Sequence, residues 1–345
     1  MKKLIAFFVA VWLGIIIIPC AVAVFWGDPL HRETGDIITQ IETSSLPDRS
    51  LETAGANIDP KKTVSVLDTK TNEVVVMDQF EYLVGVVAAE MPATFQLEAL
   101  KAQAVAARSY SAYKMENFSN VDAQNGGHTP HADVCTDYTH CKAYIDESDM
   151  RKLWGDDYEQ YIQKIRGAVS QTDGEILVYG EETVNAVFHS TSSGMTENAS
   201  DVWGLDVPYL RSVASPGENL SPSYTSRAEF TKEEFLRIIK ETYEDIVIPD
   251  ENLWAFPLSK SASGGVIKAD VFGVSIDGAK MRSMFSLKST HFDMSFETEK
   301  IIFDVKGYGH GVGMSQYGAN YLAGQGLTYD EILYWYYSGT RIAKR

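Results

Sequence analysis

Residues 82–92 read YLVGVVAAEMP, an apolar run with one carboxylate, Glu90, near its end. In a helix Glu90 follows Val86 by one turn and Leu83 by two, so the three side chains share one stripe. An acid on an apolar stripe loses solvation, which favours the protonated form that a general acid requires. Pro92 disfavours a helical residue before it and predicts that the helix ends beside Glu90, with the carboxyl group open to a cleft. The alternative is an ordinary Glu at the rim of a helix.

The residues that follow, 97–113, predict a second helix in which alanine, the best helix former, is the commonest residue. Lys101 and Arg108 are seven residues apart and therefore lie on one face, two turns apart. Two aligned cations beside an acid predict a polar groove that binds substrate. The alternative is a solvated face on which Glu98 pairs with Lys101 at i,i+3.

Two later segments are rich in glycine and small polar residues. Residues 188–194 read FHSTSSG, and the hydroxyls of Ser190 and Thr191 suit hydrogen bonds to sugar hydroxyls and N-acetyl groups. Residues 307–318 read GYGHGVGMSQYG, whose glycines allow a close approach of the backbone to a ligand. The alternative for each segment is a structural loop. Tyr209 is a candidate sugar-stacking residue, although an aromatic side chain is more often part of a core.

Three segments in this order resemble the stage II sporulation protein D family: residues 89–110, 188–204 and 309–319. The resemblance extends from about residue 64 to the C-terminus. It implies a lytic transglycosylase that acts on peptidoglycan glycan strands in sporulation engulfment, with Glu90 as the catalytic acid and base. It also implies that Gln316 lines the cleft.

The same resemblance implies the substrate and the partners. The family prefers glycan stripped of its stem peptides, which implies dependence on a cell-wall amidase and on membrane partners of the engulfment machinery. Related domains enhance cell-wall amidases, so a non-catalytic amidase enhancer or glycan-binding module is the alternative function. A general acid at Glu90 favours the enzyme, because an enhancer has no use for one.

Residues 128–141 read HTPHADVCTDYTHC and place three histidines and two of the three cysteines in one loop. Outside the cytoplasm, two cysteines first suggest a disulfide, and Cys135 and Cys141 are close enough in sequence to close a small loop. A disulfide gives no reason for the nearby imidazoles, whereas zinc prefers thiolate and imidazole ligands and closes a structural site with four. We therefore expect one structural Zn²⁺ here.

The resemblance also suggests the zinc ligands. Some family members carry a similar loop with a His, a Cys and an adjacent His-Cys pair, which implies Cys135, His140 and Cys141. The first ligand is expected to be His128, with His131 as the alternative. Because Glu90 already supplies an acid and base, the metal is expected to be structural rather than catalytic.

The composition excludes one class of partner. The 345 residues include 30 Lys and Arg against 47 Asp and Glu, a net charge of -17. Phosphate binding needs basic patches, so nucleic acid is not an expected partner. A hydrophobic content of 45% is enough for a sizeable core.

The N-terminal residues predict a membrane anchor. Residues 4–26 carry no charge and are long enough to span a bilayer. Lys2 and Lys3 precede them, so the positive-inside rule places the bulk of the chain outside the cytoplasm, attached to the cell membrane. We expect residues 1–26 to form a cytoplasmic stub and transmembrane anchor, and residues 27–60 to form a linker.

Two alternatives remain for this N-terminal segment. One is a cleaved signal peptide with Ala21-Val22-Ala23 as its cleavage site, although the apolar run is longer than a typical signal core. The other is a lipoprotein signal at Cys20, which is weak because Pro19 replaces the small residue expected before a lipidated cysteine.

Residues 61–345 are expected to form one extracytoplasmic catalytic domain. The alternative is that this domain consists of two subdomains. Local patterns predict hairpins, a capped helix, further strands and a final aromatic helix, at residues 63–77, 175–189, 231–242, 266–271, 292–305 and 329–337. Helices and strands mix without a repeating strand–helix rhythm, so the expected class is α+β. The expected architecture is one of mixed helices and antiparallel hairpins around a glycan-binding cleft, preceded by one N-terminal transmembrane helix.

Overall fold

A computed structural model describes residues 63–251, 254–297 and 299–345. The predicted anchor and linker, residues 1–60, lie outside these ranges. Among the described residues, none of the helices combines the length and hydrophobicity that a bilayer span needs.

The described chain begins with the predicted hairpin. Strand β1 (Thr63–Asp68) pairs antiparallel with β2 (Glu73–Asp78). The short strand β3 (Val134–Cys135) adds to the other side of β1 in parallel register. The loop of histidines and cysteines is thereby attached to this sheet.

The Glu90 helix ends where the sequence predicts. Helix α1 (Gln79–Glu90) begins at Asp78, whose carboxylate accepts hydrogen bonds from the first-turn amides of Phe80 and Glu81. Its middle, residues 82–88, is buried without interruption. The chain leaves the helix in an extended conformation at Met91, immediately before Pro92.

Helix α2 (Leu97–Phe118) is the central element of the first hydrophobic cluster. It is buried on nearly every side between residues 99 and 111, because its many alanines let neighbouring elements approach closely. Helix α3 (Glu147–Trp154) and helix α4 (Tyr158–Gln171) follow, and α4 packs against both α1 and α2.

The second predicted hairpin is only half formed. Strand β4 (Glu175–Tyr179) pairs with β5 (Glu182–Thr183), but β5 stops after two residues. Tight i to i+2 backbone hydrogen bonds at residues 184–187 turn the chain away from β4. The next strand, β6 (Phe188–His189), instead pairs in parallel with β13 (Met314–Ser315).

Residues 225–306 form a second hydrophobic cluster around Phe235, Phe285 and Phe303. A capping box at Thr231 and Glu234 starts its first helix, as predicted. The cluster contains two antiparallel three-stranded sheets and two helices. Its elements are β7 (Thr225–Thr231), α6 (Lys232–Thr242), β8 (Leu258–Lys260), β9 (Val266–Val271), β10 (Val274–Asp277), α7 (Gly278–Met284), β11 (His291–Glu297) and β12 (Lys300–Lys306).

The C-terminal residues return to the first cluster. Helices α8 (Gln316–Gly324) and α9 (Tyr329–Tyr336) pack on α2, and strand β14 (Arg341–Lys344) pairs with β4. The class is therefore mixed α+β with mainly antiparallel sheets, as predicted, and its buried side chains form two clusters.

Candidate active site

Glu90 is held by two segments that are far from it in the sequence. Its Oε1 accepts a hydrogen bond from the backbone amide of Ala143 at 3.0 Å. Its Oε2 accepts one from Nε2 of Gln316, the first residue of α8, at 3.1 Å. The half-buried carboxyl group at the end of α1 therefore has a fixed position.

A cavity of about 340 Å³ opens beside this carboxyl group. Two predicted substrate-binding residues, Ser190 and Gln316, line it together with Glu90. Trp154 and Tyr317 supply aromatic walls, which suit the apolar faces of sugar rings. Trp154 was not predicted from the sequence, because it reaches the cavity only through the packing of α3 on α4, which in turn packs on α1.

Lys142 is a further residue that the sequence analysis missed. Its side chain is buried, and its ammonium lies 3.8 Å from the ring centroid of Phe188 and 4.7 Å from that of Tyr110. Burial lowers the pKa of Lys142, and the nearby carboxylate of Glu90 acts in the opposite direction. This lysine therefore places a cation near Glu90.

The stretch on both sides of β3 brings together four side-chain atoms that could hold a metal ion. One atom each from His128, Cys135, His140 and Cys141 lies within 4.8 Å of every other. Nε2 of His128 is 3.3 Å from Sγ of Cys141, and Nδ1 of His140 is 3.4 Å from Sγ of Cys135 and 3.6 Å from that of Cys141. Zinc bonds of about 2.0–2.3 Å in a tetrahedron place ligand atoms roughly 3.3–3.8 Å apart, so this group fits the metal.

The surroundings of this group favour metal binding as well. Nδ1 of His128 lies 2.8 Å from the carbonyl oxygen of Ala132, which orients the ring and leaves Nε2 for a metal. His131, the alternative ligand, lies outside the group: its side chain is half exposed, and its Nε2 is 3.8 Å from Asp122.

The two thiols of the loop are separate rather than joined in a disulfide. Their hydrogen bond raises the pKa of Cys135 to about 12 and lowers that of Cys141 to about 7. Cys141 is therefore the thiol that ionises first. A metal that binds both thiolates must displace the proton of Cys135.

Comparisons with known proteins show the family of the chain. Residues 67–179, which contain Glu90 and the whole loop of four ligands, match the family described as Stage II sporulation protein. The chain is 38% identical over 264 residues to stage II sporulation protein D of Bacillus subtilis (strain 168), covering 76% of this chain and 74% of that protein. It is 34% identical over 320 residues to the protein of the same name from Bacillus amyloliquefaciens, covering 92% and 90%. The chain belongs to the stage II sporulation protein D family.

A more distant relative carries a different name. The chain is 30% identical over 309 residues to the amidase enhancer of Bacillus subtilis (strain 168), covering 75% of this chain and 40% of that protein.

Arg108, predicted to line the groove, is instead buried in the core. Its guanidinium donates hydrogen bonds to the carbonyl oxygens of Glu175 at 3.0 Å and Val169 at 3.2 Å. Burial lowers the pKa of Arg108 to about 10. The prediction failed because the helix face that carries Arg108 is the one that packs on α4 and β4.

Lys101 pairs with Glu98, which is the alternative to a substrate-binding role. Its ammonium pairs with Glu98 at 2.7 Å and lies 5.7 Å from the ring centroid of Tyr329. Lys101 and Arg108 are both absent from the described lining of the Glu90 cavity.

Arg108→Ala is expected to destabilise the fold rather than to weaken glycan binding directly. It removes a charge-assisted hydrogen bond to each of two carbonyl oxygens, of which that of Val169 keeps only the hydroxyl of Thr172 at 3.3 Å, a loss of about 3 kcal/mol. Denaturant unfolding would measure it. Unchanged stability with lost glycan binding would contradict the structural role and return Arg108 to the cleft.

Two other residues predicted to bind substrate, Thr191 and Tyr209, instead form hydrogen bonds within the protein. Thr191 is buried, and its hydroxyl donates to Oγ of Ser221 at 2.9 Å. The hydroxyl of Tyr209 accepts the backbone amide of Asn185 at 3.2 Å, and its ring lies 5.7 Å from that of Tyr179. Both side chains are absent from the described lining of the Glu90 cavity.

A buried carboxylate supports the segment that contains Ser190. Glu218 accepts hydrogen bonds from the amide and the hydroxyl of Ser192 and from the hydroxyl of Ser215. Burial raises the pKa of Glu218 to about 7. No local pattern predicts this role, since Glu218 begins a single short turn with no neighbouring motif.

Proposed function

We propose that this protein is a lytic transglycosylase of sporulation engulfment. Its substrate is the bond between N-acetylmuramic acid and N-acetylglucosamine in peptidoglycan glycan strands stripped of stem peptides. The observation that carries the proposal is the position of Glu90: a single carboxyl group with two hydrogen-bond donors, beside a cavity with aromatic walls.

One carboxyl group is enough for this reaction. Protonated Glu90 gives its proton to the oxygen that bridges C1 of the muramoyl residue and C4 of the glucosamine residue, and the bond from C1 to that oxygen breaks. The resulting carboxylate takes the proton of the muramoyl C6 hydroxyl, whose oxygen bonds to C1 and closes a 1,6-anhydro ring. Water is not consumed, so no second carboxylate is needed to activate it.

Two hydrogen bonds hold the carboxyl group of Glu90 in one orientation. The amide of Ala143 binds one carboxyl oxygen and the side chain of Gln316 binds the other, so the group cannot rotate freely. Positioning of this kind contributes to the rate because the acid is already aligned with the bridging oxygen. Ser190, on the same cavity, is placed to bind a hydroxyl or N-acetyl group of the glycan.

We also propose that His128, Cys135, His140 and Cys141 hold one structural Zn²⁺. A bound zinc ion supplies cross-linking of the loop rather than chemistry at the glycan, because four protein ligands close its coordination shell. Ala143 lies two residues after Cys141, and its amide contacts Glu90. The loop therefore connects the four ligands to the carboxyl group that performs the reaction.

The location and partners complete the proposal. Residues 1–26 anchor the protein in the cell membrane, and residues 27–60 connect the anchor to an extracytoplasmic catalytic part. A cell-wall amidase and membrane partners of the engulfment machinery act with it, the amidase by removing the stem peptides. The similarity to a protein named amidase enhancer supports the link to an amidase.

That same similarity favours a second candidate function, a non-catalytic amidase enhancer or glycan-binding module. An enhancer would bind glycan without cleaving it. It would gain nothing from a carboxyl group held by two donors inside a cavity, which is why the enzyme is preferred.

Product analysis tests the proposal. The full-length chain, purified in detergent, is expected to convert peptide-free glycan into fragments that end in 1,6-anhydromuramic acid, measured by mass spectrometry. Fragments with ordinary reducing ends would identify a hydrolase instead. Glycan that is bound but remains uncleaved would favour the enhancer.

A further inference from the structure

A second cavity, of about 410 Å³, lies apart from Glu90. It is formed where helix α5 (Ala199–Trp203) faces β9 and α7 of the second cluster. Its volume lies within the range of about 300–1,000 Å³ typical of small-molecule sites. Nothing in the proposed reaction at Glu90 uses it.

The deepest polar group of this cavity is Glu197. Its side chain is only 1% exposed, and its Oε1 lies 2.6 Å from Nε2 of His291 and accepts hydrogen bonds from Ser261 and Gly265. Oε2 is buried and has no partner among the described residues. A buried carboxylate oxygen without a donor is costly, so it is best explained by a donor that a ligand brings.

The backbone at Gly265 approaches the carboxylate of Glu197 closely. A Cβ atom at Gly265 would collide with Oε1, so only glycine permits this approach. Glu197 lies next to the first cluster, whereas Gly265 and His291 belong to the loops and strands of the second. The two clusters thus both contribute to one polar site.

The acids of the cavity can accept hydrogen bonds from a neutral ligand. Its lining includes three acids: Glu197 lies against His291, Asp201 accepts from Asn198 at 2.8 Å, and Asp277 pairs with Lys268 at 2.9 Å. The remaining carboxylate oxygens can accept further hydrogen bonds, and the hydroxyl and amide groups of a sugar are suitable donors.

Trp203 provides the apolar surface that a sugar ring needs. Its side chain is 41% exposed on the wall of the cavity. Acceptor oxygens beside an exposed tryptophan suit a pyranose, which has hydroxyl donors at its rim and apolar faces.

A series of ring contacts runs from Trp203 toward the Glu90 cavity. The ring of Trp203 lies 5.3 Å from that of His310, which lies 5.6 Å from that of the buried His189. His189 precedes Ser190, which lines the Glu90 cavity. The two cavities are therefore joined through packed side chains.

We propose that the cavity of Glu197, Asp201 and Trp203 is a distal saccharide subsite that binds a neutral N-acetylated sugar of the same glycan strand. This inference rests on the proposed function, because the strand cleaved at Glu90 is also the ligand. The subsite holds long strands in place while Glu90 acts on a bond at a distance.

The test compares oligomers of two lengths by isothermal titration calorimetry. The full-length Glu90→Gln chain, which cannot cleave its ligand, is titrated with a disaccharide and with a hexasaccharide of N-acetylglucosamine. Adding Trp203→Ala is expected to lower the affinity for the hexasaccharide about tenfold, as expected when a tryptophan in a binding site is truncated. The affinity for the disaccharide should not change. Trp203→Phe should retain most of the affinity. Leu205→Ala, an exposed neighbour, is the control and should change neither.

Several results would overturn the subsite. Unchanged hexasaccharide affinity in Trp203→Ala, an equal loss for both oligomers, or no binding of either would each do so. The failure of the proposed reaction would look different: the Glu90-intact chain would release no anhydro products, yet the dependence of binding on Trp203 would persist.

Discussion

Glu90→Gln in the full-length chain is expected to abolish cleavage of peptide-free glycan while leaving the fold and glycan binding intact. The amide is nearly isosteric, but it can neither give a proton to the bridging oxygen nor take one from the C6 hydroxyl. The loss expected for a general acid is at least about 10²-fold in turnover. The rate of release of anhydro-ended fragments measures it.

The surroundings of Glu90 tolerate this change. The amide oxygen can still accept from Ala143, and the side-chain amide of Gln316 can turn its oxygen toward the new amino group. Glu81→Gln on the same helix is the matched control. Its carboxylate pairs with Arg166 at the surface, so this change should cost at most about 1 kcal/mol and leave turnover unaltered. Near-normal turnover in Glu90→Gln would show that another group is the acid.

The second large effect is expected from the metal loop. His128→Ala should lose the bound zinc, whereas His131→Ala should keep it, because only His128 belongs to the group of four ligand atoms. At a metal concentration about a thousand times the dissociation constant, binding contributes about 4 kcal/mol to stability. Its loss should lower Tm by roughly 8–16 °C, by the scaling for domains of 150–250 residues. Elemental analysis and thermal unfolding measure the two quantities.

Activity gives a third readout for the same pair of variants. If the loop positions Ala143, the loss of zinc should also reduce turnover at Glu90, through the hydrogen bond that joins them. His131 has a half-exposed side chain, so its replacement should change stability by no more than about 0.5 kcal/mol. Equal zinc content in wild type and His128→Ala, or an oxidised bond between Cys135 and Cys141 in protein isolated without reductant, would contradict the site.

Local sequence patterns predicted the elements whose structure depends on residues close together in the chain. Pro92 stops the Glu90 helix, Thr231 and Glu234 form the capping box, and the hairpin of β1 and β2 forms from adjacent residues. The four atoms of the possible metal site also come from one short stretch, and the family resemblance, which left His128 and His131 open, includes all four residues.

Patterns failed where long-range packing decides. The seven-residue spacing of Lys101 and Arg108 places them on one side of α2, but in an alanine-rich helix no pattern shows which side is covered. Glu197 and His291 are separated by most of the second cluster, and no periodicity predicts their contact. The donors to Glu90 are also distant in the sequence, since Ala143 and Gln316 belong to a loop and to a late helix.

The placement of the second cluster within the chain has a consequence for the order of folding. Residues 225–306 leave the first cluster after Tyr224 and return at Gly307, and the amide of Gly307 donates to the carbonyl oxygen of Tyr224 at 2.7 Å. As a flexible loop, this segment of roughly 80 residues would cost on the order of 4 kcal/mol of closure entropy before α8 could reach Glu90. Once the segment has folded, its two ends are adjacent and that cost is already met. The inserted cluster therefore holds the two flanking segments together. The first cluster, which contains Glu90, should assemble fastest when the insertion folds first.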